Sequence, residues 1–286
     1  MIDRAWLVLR AVALVLVLQA VGGALFCVLF GGTLHSVAHT VRRTAWRASL
    51  IALAVLVVQG LYEPMHLAGD MSGLADPALR RLFLGLSAAP ALAVRIAGVA
   101  CAAYALRRDT AASSVAALVG VLLTAVSFLL TGHTATAAHR GLLAPLLLAH
   151  VSLVMFWFGA LWPLHQVLAL EAPASAARTI AAFSTLAVRL VPVLPLVGVV
   201  IAALLLPDVS ALLRPWGLLL LGKVLLFTLL MGLAALNRLR LTPALAGAET
   251  GAARRLSRTV ILEYGLICVT LAVTAVMTGS FSPAHE

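Results

Sequence analysis

Apolar residues run along this chain in long, nearly unbroken stretches, and a bilayer core takes about 20 apolar residues as a helix. Eight stretches qualify, at roughly 6–30, 46–62, 84–106, 112–131, 143–166, 181–205, 216–236 and 260–279. The first is too long for the apolar part of a cleavable signal, and no small-residue cleavage site with a polar start follows it. It reads as a retained span. The stretch at 84–106 is the most interrupted, because Pro90 and Arg95 fall inside it, and its membrane part is expected to start near Ala91. The pattern predicts an all-α, polytopic membrane bundle of about eight transmembrane helices, forming a single transmembrane domain over residues 1–286.

Composition supports the same class. Of the 286 residues 63% are apolar and 10% charged, against roughly 25% charged in a soluble domain. A water-soluble fold of this length could not cover itself with so few polar groups. Charge then supplies orientation. The net charge of +10 comes from 20 Lys+Arg against 10 Asp+Glu, and Lys223 is the single lysine. In a soluble protein such an excess would suggest nucleic acid; here the Arg residues sit in short clusters between apolar runs, as membrane topology is encoded. The loops after spans 1, 3, 5 and 7 hold Arg42, Arg43, Arg47, Arg107, Arg108, Arg178, Arg238, Arg240, Arg254, Arg255 and Arg258. The amino terminus and remaining loops hold Arg4, Arg80, Arg81, Arg140 and Arg214. Eleven against five places both termini outside the cytoplasm, in a bacterium the periplasm.

No Gly-rich phosphate loop, paired carboxylates or nucleophile elbow marks an enzyme. Cys27, Cys101 and Cys268 lie in apolar runs without metal-site spacing. The informative residues are His, Met, Trp and a few charges within the membrane. His133 and His139 stand in TGHTATAAHR (131–140), with His150 in the next span, about 10 Å from its outer end. Imidazole binds Cu, Zn, Ni and Fe, and thioether sulfur selects Cu(I). Met65, His66 and Met71 in the outer loop YEPMHLAGDMSGLAD (62–76) therefore tilt the choice to copper, with Met65 and Met71 suited to Cu(I) and Glu63, His66 and Asp70 to Cu(II). Loop histidines are also commonly inert and solvated. An ionisable group inside the hydrocarbon layer is costly and functional by default, which singles out His150, Lys223 at similar depth in span 7, and Glu263 in span 8. Glu263 is expected to pair with Arg238 or Arg240. Lys223 is expected to snorkel, repel cations or pair with Asp208. Trp157, two turns from His150, shares its face and sits too deep for an interfacial belt, whereas Trp162 reads as a belt anchor. Gly159 allows close helix approach.

Several of these residues together resemble the copper resistance protein D (CopD) family. They are the GH of 132–133, His150 with W-x-G at 157–159, FS at 183–184, Gly198, Lys223 in WGLLLLGKVLLF, Asn237 in LNRLRLTP (236–243) and Glu263. The resemblance is most evident over 125–280. It implies an eight-helix protein of the bacterial inner membrane that moves copper from periplasm toward cytoplasm and works with a periplasmic carrier of the CopC type. The chain departs from the pattern at TATAAHR (134–140) and PALAVR (90–95). The expectation is a multi-pass copper-binding transport protein, not an enzyme, with a copper ion, Cu(I) or Cu(II), as cargo and the lipid bilayer as surroundings. His133, His139, His150, Met65, His66 and Met71 are the expected ligands, with Trp157, Lys223, Glu263 and Asn237 in support. Two alternatives stand: a membrane b-type cytochrome using His150 and His165 with His35 or His39, and a copper sensor or assembly factor that does not transport.

Overall fold

The computed structural model describes residues 2–108, 110–131, 139–206 and 208–280, and all regular structure among them is helical. The helices are α1 (Ile2–Phe30), α2 (Ala38–Ala68), α3 (Pro77–Gly85), α4 (Ala88–Ala105), α5 (Ala111–Ser127) and α6 (Arg140–Leu170). After them come α7 (Pro173–Leu190), α8 (Val193–Leu205), α9 (Pro215–Leu236), the short α10 (Thr242–Ala246) and α11 (Ala252–Ser280). Among the described residues seven helical segments are long and apolar enough to cross a membrane, the pairs α7–α8 and α9–α10 each counting as one. The apolar α5 has 17 residues, about 25 Å of helix at 1.5 Å per residue. The protein is a multi-pass membrane protein.

Local chemistry explains the breaks. The apolar stretch at 84–106 divides at Leu86–Ser87, so α3 is a separate surface helix and the membrane part begins at Ala88, three residues before the expected position. Asp76 starts α3 by accepting the Ala78 N–H at 2.7 Å, with Pro77 in the first helical position. Gly69 ends α2 in the left-handed region at φ +79°, where a Cβ would be strained, and its N–H reaches the Met65 carbonyl at 3.0 Å. Pro192 interrupts the helix between α7 and α8, since proline cannot donate to the preceding turn; the Val191 carbonyl instead accepts from Leu194 N–H at 3.1 Å.

Helix α1 is the centre of the bundle and packs on α2, α4, α5, α6 and α11. Its stretch from Val17 to Cys27 is buried throughout. The close crossing with α6 depends on two glycines: a Cβ on Gly159 would lie 2.3 Å from the Gly22 Cα. With few apolar-transfer gains inside lipid, such backbone contact is how membrane helices associate. Gln19 fixes the crossing by donating to the Gly159 carbonyl at 3.2 Å. Helices α2, α4 and α5 complete one side of α1; α6, α8, α9 and α11 form the other. Just after α6, Glu171 accepts the N–H groups of His35 (2.9 Å) and Val37 (3.2 Å) at the start of α2. It caps a helix to which it is not joined in sequence.

Candidate metal-handling site

His150 projects from α6 toward the broken segment α7–α8. Its ring lies against Gly198 of α8, where a Cβ would stand 3.6 Å from the imidazole Cε1. Ordinary side chains fill that contact; glycine leaves the ring edge free. The ring hydrogen-bonds the Leu194 backbone, and the Lys223 ammonium of α9 is close enough to act on it electrostatically. The buried Nδ1 has no hydrogen-bond partner among the described residues. An unpaired ring nitrogen in a low-dielectric setting is costly unless something binds it. Two elements, α8 and α9, thus converge on the imidazole of α6, and the helix interruption at Pro192 lies within a turn of Leu194. Discontinuous helices near mid-membrane ligand sites follow the same logic, because they release backbone groups where a polar cargo passes.

Two turns further in, Trp157 is buried and meets Phe227 of α9 edge-to-face, with ring centroids 6.2 Å apart. Its side chain hydrogen-bonds Glu263 of α11. Glu263 is 3% exposed and accepts from the Asn237 amide at 2.7 Å. Asn237 in turn accepts from the Thr259 hydroxyl at 2.5 Å. Trp157 and Glu263 are therefore joined two helical turns along α6 from His150. Asn237 opens a single π-helical turn, Asn237–Leu241. Pro243 accounts for it: its ring would clash with the carbonyl four residues back in a continuous α-helix, and a wider turn relieves that clash. Such turns recur at functional sites.

The expected pairings of the membrane charges are not the observed ones. Arg238 donates to Ser184 at 3.0 Å, and Asn237 with Trp157 serves Glu263. The reason is directional: Arg238, Leu239 and Arg240 all lie on the exposed side of the π turn. Asp208 turns into its own loop, where it accepts from Ser210 and from the Ala211 N–H at 3.1 Å. The Ser210 hydroxyl bond, followed by the Ala211 N–H, holds its carboxyl below the ordinary carboxylate range. It is a loop cap.

The other expected ligands lie apart from His150. His139 is exposed at the start of α6. Met65 is buried at the end of α2, whereas Met71 is 72% exposed in the following turn. His66 stacks on Trp6 of α1 with centroids 4.1 Å apart, and its Nδ1 is 3.1 Å from Asp3 Oδ1. Asp70, expected beside it, accepts from Ser72 N–H instead. Among the described residues no three His, Cys, Asp or Glu side chains are grouped as a metal site. His133 lies outside the described residues. At the inner end His165 Nδ1 is 2.8 Å from the Ser257 hydroxyl and His35 Nε2 is 2.9 Å from Arg178. Trp162 is 40% exposed, as an interfacial anchor would be.

Asn237 and Ser184 entered through the family resemblance, in LNRLRLTP and FS; Thr259 carried no comparable signal, since single hydroxyls are common in such helices. Comparison with known proteins finds likeness over part of the chain. Residues 177–277 match the model described as "Copper resistance protein D". Over 143 residues the chain is 34% identical to the curated "Copper resistance protein D" of Pseudomonas syringae pv. tomato, a match covering 46% of each protein. The chain thus spans about half the length of that relative. No solved structure matches. The matched segment contributes Leu194, Gly198, Lys223, Asn237 and Glu263, the groups around His150 and below it.

Proposed function

We propose, for a chain whose residues 177–277 match the copper resistance protein D family, that it accepts copper on the outer side of the bacterial inner membrane and passes it inward. The observation that carries this reading is the His150 imidazole, with its buried Nδ1 unpartnered and its surroundings built by the family-matched helices. The chain crosses the membrane eight times, α5 included, with both termini in the periplasm. His133 and His139 present copper from the outer loop and His150 receives it. Met65, His66 and Met71 collect it at the outer surface, and a periplasmic carrier of the CopC type delivers it.

Each residue has a physical part. A neutral imidazole nitrogen binds Cu(I) or Cu(II). Gly198 keeps the ring approachable from α8. Lys223 opposes a second cation and prevents His150 from becoming a trap, since a transport site must release what it takes. Trp157 holds Glu263 from the side, and Asn237 holds it across the π turn, so the carboxylate stands ready below the imidazole. An interior-negative membrane potential favours inward cation movement by about 2.3 kcal/mol per charge per 100 mV.

The test is metal analysis of the purified protein. Copper should co-purify at near one equivalent with wild type and be lost in His150→Ala at an unchanged yield of folded protein. Equal copper in the variant would move the site to the outer loop. A visible spectrum of the same sample separates the cytochrome alternative, which requires a Soret band.

A further inference from the structure

His66 meets a carboxylate that its own loop does not supply. Asp3, in the first turn of α1, places Oδ1 3.1 Å from His66 Nδ1, in the last turn of α2. Two further contacts fix the pair. The Trp6 ring, one turn along α1, stacks on the imidazole with centroids 4.1 Å apart and planes 12° from parallel. The Tyr62 hydroxyl, one turn before His66, donates to the Ile2 carbonyl at 3.4 Å. The start of α1 and the end of α2 are thus joined three times over. Trp6 is itself held by the Arg10 guanidinium, 4.4 Å from its ring centroid. A stacked imidazole has little freedom to turn, so its ring nitrogens are set in place before anything binds.

The contact is not a hydrogen bond. His66 Nδ1 is buried and has no hydrogen-bond partner among the described residues, so Asp3 Oδ1 stands beside the nitrogen rather than in line with a ring N–H. A buried nitrogen left in this way marks a place where another group belongs. The spacing identifies the group. Imidazole nitrogen and carboxylate oxygen bind a borderline divalent metal at about 2.0–2.2 Å. In a square-planar N,O arrangement neighbouring ligands subtend a right angle, which puts them about 3 Å apart. Asp3 Oδ1 and His66 Nδ1 already have that separation.

We infer that Asp3 and His66 hold one Cu(II) ion as adjacent ligands, with water filling its other positions. This rests on the copper reading above and names its collecting site. Square-planar N,O ligation is the preference of Cu(II), whereas Cu(I) is selected by thioether sulfur. The Asp3 side chain is 79% exposed and that of His66 27%, so rotation of the carboxylate admits a hydrated ion to Nδ1. Two protein ligands hold copper weakly enough to give it up, as a collecting site must.

The test uses the full chain, metal-free in an uncharged maltoside detergent, titrated with Cu(II) while tryptophan fluorescence is followed. Paramagnetic Cu(II) against the Trp6–His66 stack should quench Trp6, and the difference between wild type and Trp6→Phe isolates that part of the signal. Loss of even an outer-shell partner weakens metal binding about 10–100-fold, so Asp3→Asn should shift half-quenching about tenfold or more. His66→Gln should abolish the Trp6 quench. Electron paramagnetic resonance of the same sample should show mixed nitrogen and oxygen ligation that Asp3→Asn alters. Trp6 quenching that persists in His150→Ala supports the pair whether or not His150 binds copper, so the two readings fail separately. Wild-type quenching in Asp3→Asn leaves a lone histidine and overturns the pair, as does the absence of any Trp6 quench in wild type.

Discussion

Glu263 illustrates what a carboxylate inside a membrane protein demands. Its acceptor oxygens are served by Asn237 and Trp157, so removing them strands two buried donors, each at about 1–3 kcal/mol. Glu263→Leu should therefore lower the detergent unfolding temperature strongly. Glu263→Gln retains an acceptor oxygen and should cost far less; equal losses would show that charge, not hydrogen bonding, holds the network. The sequence marked Glu263 because a charge in an apolar run stands out, and Asn237 through the motif that carries the family resemblance. It could not tell that Arg238 points to Ser184, because a π turn resets which residues face inward and leaves no periodic trace. Lys223 belongs to the same scale. Its ammonium acts on the His150 ring, and like charges repel most where dielectric is low. Lys223→Met should bind copper several-fold more tightly, measured by competition with a chelator, while slowing its release. Unchanged affinity would leave Lys223 a packing or snorkelling residue.

Elements were legible where hydropathy alone defines them, and the long apolar runs all became helices. What lay hidden was their interruption and their contact. The break at Leu86–Ser87 and that at Pro192 fall inside apolar runs, where composition barely changes. The α1–α6 crossing was half visible in Gly159, but its partner Gly22 lies far away in sequence. Gly159→Ala places a Cβ 2.3 Å from the Gly22 Cα and should destabilise by about 1–3 kcal/mol as overpacking does. Gly31→Ala, with nothing within 4 Å, should be nearly neutral in the same unfolding assay. The cap at the inner end predicts a pH effect. Burial raises the Glu171 pKa, but the N–H bonds from His35 and Val37 outweigh it and leave the carboxyl below its ordinary value. A depressed carboxylate contributes stability above its unfolded pKa, about 4.3, and loses it as pH falls through the lower folded value. Glu171→Gln should thus lose less stability than wild type between pH 6 and pH 3. An identical pH profile would mean that the cap carries no net stabilisation.

At the scale of the whole molecule, α1 joins two groups of helices that carry different chemistry. One holds His150 with Trp157 and Glu263; on the other side His66 of α2 meets Asp3 and Trp6 of α1. The sequence marked His150, Trp157, Asn237 and Glu263 singly, within 150–263, but not the bonds that join Trp157 and Asn237 to Glu263. It marked His66 but not Asp3, which comes from another helix and which only the fold brings beside it. Whether both sites face the same compartment depends on one helix. α5 has 17 residues, short for a span of roughly 20, yet it packs along α4 and α1 inside the bundle. Its outward polar groups are few, and Ser113, Thr124 and Ser127 are buried. If α5 crosses, the chain spans eight times and its ends share a side; if it does not, seven crossings separate them. The Arg count places the shared side outside. Alkaline phosphatase needs an oxidising compartment to form its disulfides, so fusions before Met1, with an export signal, and after Glu286 should both be active. A fusion after Arg108 should be inactive, as the Arg count expects of a loop on the cytoplasmic side. An active terminus at one end alone would remove α5 from the membrane, and with it the assignment of His139 and His150 to the side from which copper arrives.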